Sequence, residues 1–183
     1  MPLTLYYLEM SPAVRSTLIT IKALGLDVEM KPVNLMAGEH MTPEYLKMNP
    51  LHTVPTLKDD DFVVFDSHAI NSYLVDKYGK DDSLYPKDLQ KRATVNQRLF
   101  FDCGVLFPNL AAIVGSILRQ NAKTISKDKA DNVTQGKFIS SQSSVLQMIV
   151  LCTYQSSCGI LTGLRGRYRM QKAGNIYDSL SKV

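Results

Sequence analysis

The order of elements predicted for the first eighty residues most constrains the fold of this chain. An apolar run over 3–8 has the length and composition of a buried strand. Ser11 follows as a helix N-cap, with Pro12 at the first helical position. Apolar residues then recur at helical spacing from Val14 until Gly25 ends the helix. A direct passage from buried strand to capped helix predicts an α/β region.

The same alternation continues up to Gly79. The pattern predicts a strand of alternating character over 27–33, a short helix over 43–46, strands over 54–57 and 62–65 joined by a turn at 58–61, and a helix capped by Asp66 and Ser67. Residues 79–87 are polar and predict a linker. Beyond it, apolar residues recur at helical spacing from Val95 to Leu118, with a kink expected at Pro108. Two domains are expected, 1–82 and 88–183.

Charge and cysteine content exclude several classes of function. The formal net charge of +4 is too small for a nucleic-acid partner. The apolar run over 145–152 is far shorter than the roughly 20 residues of a membrane-spanning helix, so no membrane partner is expected. The three cysteines lack the spacing of a disulfide framework, and no secretory signal is visible. A cytoplasmic location is therefore predicted.

Four motifs in the first ninety residues carry a specific resemblance. They are Ser11-Pro-x-x-Arg15, His52-Thr-Val-Pro-Thr56, Asp66-Ser-His-Ala-Ile70 and Tyr78-Gly-Lys-Asp-Asp-Ser-Leu-Tyr-Pro86. With these motifs the chain resembles an insect glutathione S-transferase of the delta/epsilon group, the epsilon class most of all, from about Leu3 to about Val133. The resemblance implies a thioredoxin-like domain followed by an all-α domain, in a cytosolic homodimer. It also implies detoxification, in which the glutathione thiolate is conjugated to hydrophobic electrophiles without a prosthetic group.

The resemblance stops near Val133. Residues 134–183 carry six basic side chains and one acidic side chain, and they lack the Ser/Thr-x-x-Asp helix cap of the family. The chain also contains no tryptophan. We interpret the tail as a splice variant or intron read-through that leaves the helical domain truncated or aberrant and the homodimer weakened. The alternative function is a non-catalytic isoform that binds glutathione or a lipophile.

Ser11 has two interpretations. From spacing alone, a helix N-cap is the simpler explanation. The resemblance implies instead that its hydroxyl is catalytic and donates to the glutathione thiolate, which the positive end of the helix also favours. Lowering a thiol pKa by about two units requires roughly 3 kcal/mol of anion stabilisation. No cysteine precedes Cys103, which excludes disulfide chemistry at this turn.

The resemblance also assigns glutathione-binding roles to two short segments. Pro55 resembles a cis-proline of the family, which would turn the backbone of Val54 toward the ligand. An ordinary trans proline is the alternative. Asp66 is implied to contact the γ-glutamyl amino group, and Ser67 with the amides of its helix is implied to hold the adjoining carboxylate.

The three histidines of the chain all fall in the first domain. Their spacings match no common metal site and no cysteine accompanies them there, so no metal is expected. The resemblance implies that His40 and His52 face the glycine carboxylate of glutathione. His68 either assists the γ-glutamyl end or is merely exposed.

Three apolar residues of the second region are candidates for the electrophile pocket. The first long helix of that region lines the pocket in the family, which points to Phe107, Leu110 and Val114. At helical spacing the same residues are equally plausible as core.

Overall fold

The computed structural model describes residues 3–109 and 111–112 and contains a four-stranded mixed sheet. The strands are β1 (Thr4–Tyr7), β2 (Glu29–Pro32), β3 (Thr56–Asp59) and β4 (Phe62–Phe65), in the order β2-β1-β3-β4. Strand β1 runs parallel to β2 and antiparallel to β3, and β3 runs antiparallel to β4. This sheet confirms the predicted α/β fold of the N-terminal region.

Four α-helices accompany the sheet within the described residues. They are α1 (Pro12–Leu24), α2 (Pro43–Met48), α3 (Ser67–Tyr78) and α4 (Leu89–Phe101). The predicted ends of α1 are confirmed, since Ser11 caps it and Gly25 closes it with a left-handed φ of 66° that its lack of a Cβ permits. None of the helices described is long and apolar enough to cross a membrane.

Two hydrophobic clusters both include residues of α3. The first lies between the sheet and helices α1 and α3, and consists of Leu3, Leu5, Ile21, Leu57, Ile70 and Leu74. The second joins α3 to the region that follows the linker, and consists of Val75, Val95, Leu99 and Leu106. Helix α3 therefore packs against the sheet, against α1 and against the region after the linker. The division into domains at 82 and 88 stays a prediction.

The hairpin between β3 and β4 is tighter than predicted. The turn consists of Asp60 and Asp61 alone, because Lys58 and Asp59 belong to β3 and pair with β4. Asp59 is buried in the strand because side chains of α3 donate hydrogen bonds to its carboxylate. Such long-range compensation has no local sequence signal, and the charged run therefore resembled a loop.

Strand β2 also differs from its predicted alternating pattern. All four of its residues are exposed. It lies at the edge of the sheet and pairs only with β1, so the alternation expected of a half-buried strand was wrong.

The irregularity predicted at Pro108 begins earlier in the chain. Helix α4 ends at Phe101 and continues as a π-helical turn over Asp102–Leu106, closed by a hydrogen bond from the Phe107 N–H to the Asp102 carbonyl. Pro108, which has no N–H to donate, follows this turn directly. Such π-helical turns often occur at functional sites, and this one lies beside the cleft described next.

Candidate functional site

A cleft of about 210 Å³ opens where the starts of α1 and α3 face the loop before β3 and the π-helical turn. Seven of the eleven residues proposed from the sequence line it: Ser11, Val54, Pro55, Asp66, Ser67, His68 and Phe107. The fold also brings Asp102 and Cys103 into the same wall. Residues that are almost a hundred positions apart therefore share one small volume.

Ser11 stands at the N-terminal end of α1 and lines the cleft. Its Oγ accepts a hydrogen bond from the Val14 N–H at 3.4 Å, which is long for such a bond. An accepting hydroxyl still carries a proton that it can donate. The capping role and a role toward a bound anion are therefore compatible.

The loop before β3 is held by buried polar side chains. Asn49 is fully buried, and its Nδ2 donates to the Thr53 carbonyl at 3.0 Å and to the Thr56 Oγ1 at 2.9 Å. The Tyr45 hydroxyl donates to the same Thr53 carbonyl at 2.7 Å. These contacts hold the loop that presents Val54 to the cleft. The sequence gave no signal for this role of Asn49.

The peptide bond between Val54 and Pro55 is cis, as the motif predicted. Pro55 is buried, whereas Val54 is partly accessible in the cleft wall. The Val54 backbone therefore borders the space that a ligand would occupy.

Asp66 caps α3 from a backbone conformation that is rare for an L-residue, with φ of 74°. Its carboxylate accepts from the His68 N–H at 2.8 Å and the Ala69 N–H at 3.3 Å. The hydrogen bond from the His68 ring, opposed by burial, holds the pKa of Asp66 below its ordinary value. Ser67, the next residue, is buried. The start of α3 thus presents an anionic carboxylate and the positive end of a helix side by side.

His68 lies between two carboxylates. Its Nε2 is 2.6 Å from the Asp102 Oδ2, and its Nδ1 is 3.1 Å from the Asp66 Oδ1. Burial alone would lower the pKa of His68, but the hydrogen bonds and charges of Asp102 and Asp66 outweigh it and raise that pKa to about 9. The ring is therefore a cation at neutral pH. Of the two roles left open for His68, simple exposure is wrong, because the side chain is only 16% exposed.

Asp102 is a charged cleft residue that sequence reasoning missed. It is 5% exposed, and its Oδ1 has no hydrogen-bond partner among the described residues. A polar residue in an otherwise apolar helical repeat was the available signal. Its partner lies 34 residues away, which local patterns do not reveal.

Cys103 and Phe107 complete the wall on the side of the π-helical turn. Burial, followed by the charges of Asp66 and Asp102, raises the pKa of the Cys103 thiol. Phe107 is partly buried and lines the cleft. Leu110 and Val114, the other two candidates for the electrophile pocket, lie outside the described residues.

His40 and His52 do not line the cleft. Their rings pack against each other with centroids 5.9 Å apart. His52 is exposed and immediately precedes Thr53, which does line the cleft. The predicted contact of this pair with glutathione stays a prediction.

Comparisons with known proteins agree with this fold. The family model of the glutathione S-transferase N-terminal domain matches residues 1–76. Glutathione S-transferase 1 of Manduca sexta is 50% identical over 137 residues, which are 74% of this chain and 63% of that protein. The chain thus spans just under two thirds of the length of that relative.

Solved structures extend the likeness in three dimensions. An epsilon-class glutathione S-transferase of the housefly, Musca domestica, is 44% identical with a TM-score of 0.75, covering 82% of this chain and 75% of that one. A glutathione transferase homologue of Drosophila mojavensis, solved with bound glutathione, is 37% identical with a TM-score of 0.80, covering 99% and 86%. The thioredoxin-like fold is thus that of a known class. The chain belongs to the glutathione S-transferase family and is similar to its insect members.

Proposed function

We propose that this chain binds glutathione in the cleft and transfers its thiolate to apolar electrophiles. The observation that carries the proposal is the convergence of Ser11, the cis Val54–Pro55 bond and the N-terminal end of α3 on one cleft. Glutathione is the co-substrate and no prosthetic group is required. The glutathione-bound homologue of Drosophila mojavensis supports the choice of ligand.

The thiolate is stabilised at the start of α1. The Ser11 hydroxyl donates to the sulfur, and the end of the helix adds a partial positive charge. A charge-assisted hydrogen bond contributes about 1.5–3 kcal/mol. The two effects together match the roughly 3 kcal/mol that a two-unit fall in thiol pKa requires.

The γ-glutamyl end of glutathione binds at the start of α3. Its ammonium group pairs with the anionic Asp66, and its carboxylate accepts from the hydroxyl and the N–H of Ser67, because the His68 and Ala69 amides already donate to Asp66. The charged His68 ring lies beside this carboxylate and adds a favourable interaction. At the opposite end, His40 and His52 contact the glycine carboxylate.

The electrophile binds on the side of the π-helical turn, against Phe107. Leu110 and Val114, the other two candidates for this pocket, complete it. The aromatic side chain of Phe107 on this wall suits hydrophobic electrophiles and a role in detoxification.

A homodimer in the cytoplasm is the proposed assembly. Leu89 and Phe100 on α4 are 81% and 72% exposed, and apolar side chains of this size favour burial against a partner. The predicted weakening of the dimer by an aberrant tail concerns residues outside the described part of the chain. Size-exclusion chromatography measures the assembly, and limited proteolysis tests the tail.

The deciding experiment compares Ser11→Ala with a matched control, Thr42→Ala. Thr42 caps α2 in the same way, since its Oγ1 accepts a hydrogen bond from the Tyr45 N–H at 3.4 Å, but it does not line the cleft. Each substitution should cost about 1 kcal/mol of stability through the lost cap. Only Ser11→Ala should lower kcat/KM with a generic aromatic electrophile, by about 10- to 100-fold. It should also raise the pKa of the bound glutathione thiol.

Equal activity of the two variants would contradict the role of Ser11. If the wild type instead bound immobilised glutathione without conjugating it, the result would favour the alternative, a non-catalytic binding isoform. Ser11→Thr, which keeps a hydroxyl, should retain part of the activity that Ser11→Ala loses.

A further inference from the structure

Three donor atoms of different chemistry meet at the start of α3. They are a carboxylate oxygen of Asp66, a ring nitrogen of His68 and the sulfur of Cys103, and all lie within 4.8 Å of one another. Asp66 and His68 are two residues apart in the chain. Cys103 lies 35 residues after His68 and belongs to the π-helical turn. Nitrogen, sulfur and carboxylate oxygen are the ligands that zinc takes in proteins.

The spacing suits a tetrahedral ion. Bonds of about 2.0–2.2 Å to nitrogen and oxygen place two such ligands about 3.4 Å apart in a tetrahedron. The Asp66 Oδ1 and the His68 Nδ1 are 3.1 Å apart. A sulfur ligand would lie about 3.6 Å from the nitrogen, so the Cys103 thiol needs to move by about 1 Å at most. Cys103 is exposed, and a change of its rotamer is not opposed by core packing.

Asp102 provides the support that metal-binding histidines usually have. Its Oδ2 lies 2.6 Å from the His68 Nε2, on the side of the ring opposite Nδ1. A ring that donates Nε2–H to a carboxylate is held in orientation and offers the lone pair of Nδ1 to a metal. Asp102 is only 5% exposed. Its second oxygen has no hydrogen-bond partner among the described residues, so no other hydrogen bond competes with the one to His68.

We propose that the Asp66 Oδ1, the His68 Nδ1 and the Cys103 Sγ bind a divalent metal ion of the zinc type, with Asp102 orienting His68. Water from the cleft completes the tetrahedron. The nitrogen, sulfur and oxygen donors favour Zn²⁺, Co²⁺ or Cd²⁺ over Mg²⁺ and Ca²⁺, which prefer oxygen ligands alone. Binding displaces the thiol proton and the Nδ1 proton to solvent.

The sum of the local charges favours binding of a cation. The positive end of α3 opposes a cation with about half an elementary charge. Two carboxylates and the thiolate that forms on binding bring three negative charges to the same place. The ion would occupy the end of the cleft where the proposed function places the γ-glutamyl group, so metal and glutathione should exclude each other.

The test is a titration of the full chain with Co²⁺ alone, in the absence of glutathione. A thiolate ligand gives an intense near-ultraviolet charge-transfer absorption, and tetrahedral coordination gives strong visible bands. We expect both at one equivalent of metal, with reversal by Zn²⁺. Cys103→Ser should abolish the charge-transfer band, and Asp102→Asn should weaken affinity by about 10- to 100-fold.

Two controls separate this site from other metal ligands. Cys152→Ser with Cys158→Ser removes the other two cysteines and should leave the spectrum unchanged. His40→Gln with His52→Gln removes the other two histidines, whose rings lie together, and should also leave it unchanged. Circular dichroism checks that each variant is folded.

The absence of a thiolate band in the wild type, or its persistence in Cys103→Ser, would overturn the proposal. So would loss of the band in the His40 and His52 variant. Because the titration needs neither glutathione nor an electrophile, these outcomes are independent of the proposed transferase activity. Competition is tested separately, since Zn²⁺ should raise the apparent Kd for glutathione in the wild type but not in Cys103→Ser.

Discussion

The two ends of α3 each contact a buried aspartate, but they satisfy it to different degrees. At the C-terminal end, the Asp59 Oδ2 accepts from the Tyr73 hydroxyl at 2.6 Å and the Lys77 Nζ at 2.6 Å. The Tyr78 hydroxyl donates to the same oxygen at 2.7 Å. At the N-terminal end, the Asp102 Oδ2 has the His68 ring, and its Oδ1 has no partner among the described residues.

This difference separates a carboxylate that accepts three hydrogen bonds within the fold from one that keeps an oxygen unpaired among the described residues. The donors to Asp59 all come from α3, so their bonds fix the helix against β3. Leaving a buried polar group unsatisfied costs about 1–3 kcal/mol. Asp102 carries part of such a cost beside the cleft, where it holds the His68 ring in orientation. One end of the helix is thus fixed to the sheet, and the other end positions a cleft residue.

The largest expected effect is at the satisfied end. Asp59→Ala removes the acceptor of three hydrogen bonds and should lower the free energy of unfolding by about 2–4 kcal/mol, measured by urea denaturation. At urea concentrations well below the unfolding midpoint, the affinity for glutathione should change by less than about threefold, since the cleft residues lie at the other end of α3. A large loss of affinity in a folded variant would contradict the separation of the two ends.

Sequence patterns predicted features that depend on neighbouring residues. The Ser11 cap, the left-handed Gly25 and the cap of α3 at Asp66 follow from contacts within a few residues, and the structure has each of them. The cis bond before Pro55 was predicted from the motif as a whole.

Features that depend on distant residues were missed. Asp59 resembled part of a loop because its donors lie 14 to 19 residues away. Asp102 was unremarked because its partner, His68, lies 34 residues away. The same limit applies to the metal expectation, which rested on the spacing of the histidines alone: the closeness of Cys103 to His68 comes from the fold.

The second largest effect is expected for Asp102, at the N-terminal end of α3. Substitution there should reduce ligand affinity more than it reduces the free energy of unfolding. Asp102→Asn keeps the shape of the side chain but removes the charge that pairs with His68. Stability should fall by about 1–2 kcal/mol, less than in Asp59→Ala. Glutathione affinity should fall by about tenfold or more, since the ring loses its orientation. Isothermal titration calorimetry measures the affinity, and an unchanged Kd would show that Asp102 does not support the cleft.

The smallest effect is the loss of stability when Asp59, at the C-terminal end of α3, is protonated at low pH. Burial raises the pKa of Asp59, but the hydrogen bonds from Lys77 and the two tyrosines outweigh it and hold that pKa below its ordinary value. A depressed folded-state pKa contributes stability above the unfolded pKa of about 3.9, and that part is lost as pH falls through the folded value. Wild type should therefore lose more stability than Asp59→Asn when the pH is lowered from about 5 to about 3. Because both chains keep the remaining carboxylates, the difference between their urea midpoints isolates Asp59. This difference should be only a fraction of the Asp59→Ala effect, since a protonated Asp59 still accepts hydrogen bonds. Parallel curves of stability against pH for the two chains would show that the charge of Asp59 does not stabilise this end of α3.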